Sequence, residues 1–149
     1  MSKKVFIVNT LMYIYITMVL YVTLMPLPIP FLNGTNNLFL ETANIIPFRN
    51  LRLNYYGSIR EILLNVIMMI PFGFLFPIIK KSGILKTVAM CFLFSLAIEI
   101  AQLLSAFWGA LSSRTFDVTD LITNTSGGLL GYLFFIVLKP IILGILNEQ

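Results

Sequence analysis

Apolar residues fall along this chain in four long stretches separated by short polar breaks. The first runs from about Val5 to Met25 and, as a helix, would reach roughly 31 Å, enough to cross a hydrocarbon core. It is too long for the h-region of a signal peptide. Pro26, Pro28 and Pro30 follow it where a small-residue cleavage site would stand, so it reads as a retained first helix stopped by prolines. The second stretch covers about 59–79. Ser58 followed three residues later by Glu61 is a capping-box pattern at its start, and the interior Pro71 predicts a kink near Ile67 to Pro71 because proline removes one helical hydrogen bond. The third covers about 85–108, after a turn at Ser82-Gly83, and the fourth about 118–138, after a turn at 109–113. The apolar tail from Ile141 to Leu146 either lies at the membrane surface or extends the last helix.

The longest polar connection, residues 26–57, carries too many apolar and aromatic residues for a free linker. Phe39, Leu40, Ile45, Ile46, Phe48, Tyr55 and Tyr56 predict a loop lying at the membrane interface, where aromatic rings are favoured. The pattern as a whole predicts an all-α integral membrane protein. It would be one domain over residues 1–149, a bundle of four transmembrane helices with an interfacial loop between helices 1 and 2.

Composition agrees. The 149 residues are 58% hydrophobic and 11% charged, where a soluble domain carries about 25% charged residues. The net charge of +4 is not a nucleic-acid footprint, because the basic residues are spread by topology and do not gather in one patch. Cys91 is the single cysteine, so neither an internal disulfide nor a cysteine metal cluster can form, and it reads as a small buried hydrophobe. Histidine is absent, which removes the commonest general base and metal ligand. No metal and no cofactor is expected, and no phosphate-loop, dinucleotide or serine-elbow pattern occurs.

The cations divide by identity. Lys3, Lys4, Lys80, Lys81, Lys86 and Lys139 flank one side of the four stretches, and Arg49, Arg52, Arg60 and Arg114 the other. The lysine side is predicted to be cytoplasmic, with both termini there. The arginines, planar forks suited to carboxylate or phosphate, accompany Glu41, Glu61, Asp117 and Asp120 on the outer side.

Candidate chemistry sits in the outer half of helices 2, 3 and 4. Glu99 stands roughly 21 Å along its helix from Leu85. Ser95, Glu99, Gln102 and Ala106 share one helical face, as do Glu61 with Asn65, and Asp117 with Asp120 and Asn124. Polar groups in hydrocarbon are costly and usually face a partner or a watery pocket. Two readings follow. One is a structural network of interhelical hydrogen bonds, each worth about 0.6 kcal/mol. The other is an outward-facing pocket in which Asn65, Glu99, Gln102, Arg114, Asp117, Asp120 and Asn124 bind a polar or lipid head group, with Glu99, Asp117 and Asp120 the candidates for any acid–base role. Gly127 and Gly131 form a G-x-x-x-G spacing that permits close helix approach. Packing within the bundle accounts for it, and it is also compatible with a homo-oligomer.

The ordered set Asn44-x-x-Pro47-Phe48, Arg60-Glu61-x-x-x-Asn65, Pro71-Phe72-Gly73, Glu99-x-x-Gln102 and Arg114-x-x-Asp117-x-x-Asp120-x-x-x-Asn124-x-x-Gly127-Gly128-x-x-Gly131 resembles the VanZ-like family over roughly residues 40–132. The resemblance implies a small multi-helix protein of the bacterial cell membrane, linked to resistance to the glycopeptide antibiotic teicoplanin. It implies no catalytic residues. The expected partners are membrane lipids, a lipid-linked envelope precursor or the antibiotic, and no nucleic acid. A binding protein acting through the polar pocket is the first reading. The alternative is a membrane enzyme modifying a lipid-linked envelope polymer with carboxylate acid–base residues. A transporter would need an oligomer, because four helices make a poor path.

Overall fold

The computed structural model describes residues 3–25, 43–107 and 116–147. Among the described residues, five helices run in the order α1 (Lys3–Leu24), α2 (Arg49–Arg52), α3 (Ser58–Lys80), α4 (Ile84–Phe107) and α5 (Val118–Asn147). All but the single-turn α2 are long and apolar enough to cross a membrane, with spans at Val5–Leu24, Ser58–Lys80, Ile84–Ser105 and Val118–Ile142. The protein is a four-helix membrane bundle.

Its boundaries fall within about two residues of the sequence-based ranges except at the end of α5, which continues through Pro140 to Asn147 instead of stopping near 138. Surrounded by lipid, an apolar segment that leaves the helix must expose backbone groups with nothing to bond. One bond lost at a proline costs less than ending the helix. The same reasoning covers α3, one helix through both Pro71 and Pro77.

The capping-box reading of Ser58 and Glu61 needs correction. Ser58 is the first residue inside α3, and the N-cap is Gly57, at φ 91° and with no side-chain cap bond. The Glu61 N–H donates to the Gly57 carbonyl. Glycine reaches this left-handed conformation without the steric penalty a side chain would bring, so the turn begins one residue earlier and leaves the serine side chain outside the capping geometry.

Helices α3 and α5 form the most extensive pair. The reason is glycine. A β-carbon at Gly127 would strike the carbonyl of Val66, one at Gly131 the carbonyl of Ile70, and one at Gly73 the carbonyl of Gly128. With only hydrogen there, the two backbones approach closely enough for dispersion to hold them without a hydrophobic driving force. The core at the other side of α3 joins Met69, Phe72 and Phe76 to Met12 of α1 and Cys91 of α4. Phe72 stacks on Phe76 and on Phe94 with ring centroids 5.5 and 5.1 Å apart. Cys91 is fully buried, as a small hydrophobe.

Helix α1 is the most loosely held, with 11% of its span buried against 39% for that of α5. Polar contacts help to fix it. The Tyr15 hydroxyl donates to the Met68 carbonyl at 2.8 Å, and Gln102 Nε2 donates to the Thr23 carbonyl at 3.1 Å.

Of the expected interfacial loop, residues 26–42 lie outside the described residues. The remainder presents Ile45, Ile46, Tyr55 and Tyr56 as exposed side chains around α2. This segment is tied to the start of α5. Asn44 and Asp117 form an isolated parallel β-bridge, in which the Asn44 N–H donates to the Phe116 carbonyl at 2.8 Å and the Val118 N–H to the Asn44 carbonyl at 3.0 Å.

Candidate functional site

Where α4 ends and α5 begins, the rare polar side chains fall into two groups, one centred on the start of α5 and one lining a cleft.

The tied group centres on the start of α5. Asp117 occupies the N-cap position, and its Oδ1 accepts the Thr119 N–H at 2.7 Å. That bond satisfies one of the amide groups every helix start leaves free. Its Oδ2 accepts from Asn44 Nδ2 at 2.9 Å. The Asp117 N–H in turn donates to Glu99 Oε2 at 2.8 Å. Glu99 is only 1% exposed, and Asp117 and Asp120 are close enough to act on it electrostatically. The Thr119 hydroxyl accepts the Phe48 N–H at 2.9 Å. About two turns further along α5, Asn124 Nδ2 donates to the Ser95 hydroxyl at 2.9 Å. Asn124 is 2% exposed, and its Oδ1, like that of Asn44, has no hydrogen-bond partner among the described residues.

The second group surrounds a cleft of about 570 Å³. Its polar wall is Asn50 from α2, Glu61 and Asn65 from α3, Gln102 from α4 and Asp120 from α5, with Thr23 at the end of α1. Ile67, Met68, Leu64 and Val22 supply the apolar wall. Within this wall Gln102 Nε2 donates to the Thr23 carbonyl. The cleft therefore lies where the last turns of α1 and α4 meet the first turns of α3 and α5. Such a place between helices of a bundle, mostly apolar with a few polar groups, is where ligand sites are commonly built.

The seven residues singled out by sequence do not act as one set. Asn65, Gln102 and Asp120 line the cleft. Glu99, Asp117 and Asn124 are bonded within the protein. Arg114 lies outside the described residues. Three participants were missed. Asn50 and Thr23 enter the cleft wall from elements with no polar periodicity to advertise them. Thr119 looks like any first-turn threonine until Phe48 arrives from 71 residues away. Asn44 was legible as part of a motif, but nothing in its spacing said it pairs with Asp117. Among the described residues no cluster of histidine, cysteine, aspartate or glutamate has the arrangement to hold a metal ion.

Comparison with known proteins agrees with this architecture. The VanZ/LLP1 family model matches residues 12–139, which takes in the cleft, the α5 cap and the glycine seam. The chain is 40% identical over 92 residues to Protein VanZ of Enterococcus faecium, a match that covers 61% of this chain and 50% of that protein. The chain thus spans about half the length of that relative. No solved structure matches it.

Proposed function

We propose a function from a firm premise: the chain belongs to the VanZ/LLP1 family. It acts in bacterial glycopeptide resistance of the teicoplanin type, by binding in the cleft between α1, α3, α4 and α5. The ligand is an envelope lipid, a lipid-linked precursor or the antibiotic itself. The arginine-bearing end, with the cleft, faces outward, and the lysine-bearing end and both termini face the cytoplasm. Four spans return the chain to the side on which it started, and the cations are sorted by end in the manner that orients membrane proteins.

One observation carries the reading. Carboxylates and amides contributed by four separate helices surround a space of about 570 Å³ within a membrane bundle, where polar groups usually face a partner or a watery pocket. The Glu99–Asp117–Asn44 set, by contrast, is bonded across elements and does not border this space. The same contrast favours binding over acid–base catalysis. Glu99 and Asp117, two of the three candidate acids and bases, already spend carboxylate oxygens on holding the start of α5, whereas a general acid or base must reach its substrate.

The test is expression in a glycopeptide-susceptible bacterium, comparing teicoplanin protection by the wild type with Asn65→Leu, Gln102→Leu and Asp120→Asn at matched membrane levels. Loss of protection in all three is expected. Full protection by all three removes the cleft from the function, and a wild type that does not protect removes the resistance reading. Mass spectrometry of envelope lipids and glycans, with and without the protein, checks the enzymatic alternative; an unchanged profile is expected.

A further inference from the structure

The lining of the cleft specifies the kind of group it accepts. Among its described residues there is no lysine, no arginine and no aromatic ring. A phosphate or carboxylate head finds no cation there to grip it. A quaternary ammonium finds no ring face of the kind that cages such cations. The wall offers acceptors instead: the Glu61 and Asp120 carboxylates, and the amides of Asn50, Asn65 and Gln102, each of which carries an acceptor oxygen. Such a set suits a cationic group that brings N–H donors.

Size points the same way, independently of charge. Asn50, Glu61 and Asp120 also border a second and much smaller space, of about 10 Å³, together with Phe48, Ser58 and Thr119. It has room for about one water-sized group. A primary ammonium is that size, and a trimethylammonium is not. The apolar wall lies deeper. Along α3 the lining passes from Glu61 through Leu64 and Asn65 to Ile67 and Met68, roughly 10 Å of helix. Leu64 and Ile67 are more than half exposed on a membrane span, so this wall runs on into the lipid-facing surface. Polar at the helix starts and apolar further in is the layout that an amphiphile requires.

We propose, resting on the reading of the cleft as the binding site, that it takes the primary ammonium head of a membrane lipid. The ammonium lodges among Asn50, Glu61 and Asp120, where its N–H groups donate to the carboxylates, and the hydrocarbon chain leaves along Leu64 and Ile67.

Native mass spectrometry of the purified full chain in detergent micelles tests it, with three dioleoyl lipids that differ only in head group. Phosphatidylethanolamine carries the primary ammonium, phosphatidylcholine the quaternary one and phosphatidylglycerol neither. Phosphatidylethanolamine should be retained at least roughly tenfold more strongly than the other two, the margin of one charge-assisted hydrogen bond. Glu61→Gln and Asp120→Asn should each lower its retention several-fold. Arg52→Gln, at an exposed arginine outside the cleft, should leave it unchanged. Equal retention of the ethanolamine lipid and either of the others overturns the proposal, as does wild-type retention by both acid variants. Should Asp120→Asn not fold, Glu61→Gln and the wild-type ranking decide. Free ethanolamine, which has the ammonium without the tails, should not displace the lipid at equal concentration, and full displacement overturns the membrane-lipid source. The teicoplanin assay separates this proposal from the reading it rests on. Equal retention of the three lipids with loss of protection by Asn65→Leu and Gln102→Leu removes the ammonium and leaves the cleft, whereas full protection by those variants removes the cleft itself.

Discussion

Glu99 holds the start of α5 in place: its Oε2 accepts the backbone N–H of Asp117 at 2.8 Å, 18 residues along the chain. A carboxylate buried in a membrane helix invites a functional reading. Here it ends the chain of bonds that runs from Asn44 through Asp117 and joins the loop, α5 and α4. Its effect on the cleft is indirect, because Asp120 stands one turn beyond the residue it holds.

Glu99→Gln keeps an acceptor for that N–H, while Glu99→Leu leaves it buried and unpaired. An orphaned buried donor costs about 1–3 kcal/mol. Thermal unfolding in detergent should therefore show Glu99→Leu clearly destabilised and Glu99→Gln near the wild type. Equal loss in both would mean that the negative charge, and not the hydrogen bond, is what the site requires.

The glycine seam makes a graded prediction. Alanine at Gly127, Gly131 or Gly73 drives a β-carbon into backbone of the facing helix. Backbone cannot rotate aside as a side chain can, so α3 and α5 must separate, at roughly 1–3 kcal/mol each, the usual cost of overpacking. At Gly144, also in α5, nothing lies within 4 Å of the added carbon, and Gly144→Ala should be neutral or stabilising by up to about 1 kcal/mol through helix propensity. The four variants compared in one unfolding assay separate contact from propensity.

The Asn124–Ser95 bond joins α5 to α4 in the bundle interior. A double-mutant cycle over Asn124→Ala and Ser95→Ala should return a coupling of about 0.6 kcal/mol, typical of interhelical bonds in membranes. A value near zero would show that the bond is replaced on mutation, most simply by water reaching the unpaired Asn124 Oδ1.

Orientation is open to a direct chemical test in a Cys91→Ala background. A cysteine at Leu53, exposed beside α2, should react with a membrane-impermeant maleimide in intact cells. One at Lys80, at the far end of α3, should react only after permeabilisation. The reverse pattern would invert the topology and turn the cleft toward the cytoplasm.

How much of this could be read in advance depends on the range of the physics involved. Span positions were legible because crossing a bilayer demands some twenty consecutive apolar residues, a local property. The glycine seam was legible as spacing, since i and i+4 share a helical face. That its partners are the carbonyls of Val66 and Ile70 was not. The polar residues showed the limit most clearly. Periodicity assigned Glu99, Gln102, Asp120 and Asn124 to faces and depths, but it could not tell which group bonds to which. Gln102 and Glu99 are three residues apart on one face; one reaches the cleft and α1, the other caps α5.

By itself, then, the sequence determined what the membrane demands: how many helices cross, where they begin, and which faces carry polarity. These follow from the cost of placing each residue in hydrocarbon, which is paid residue by residue. Only the tertiary structure decided which polar groups bond to one another and which line a space. A hydrogen bond requires two atoms about 3 Å apart, and that distance between Asn44 and Asp117, or Phe48 and Thr119, exists only once separate helices have packed.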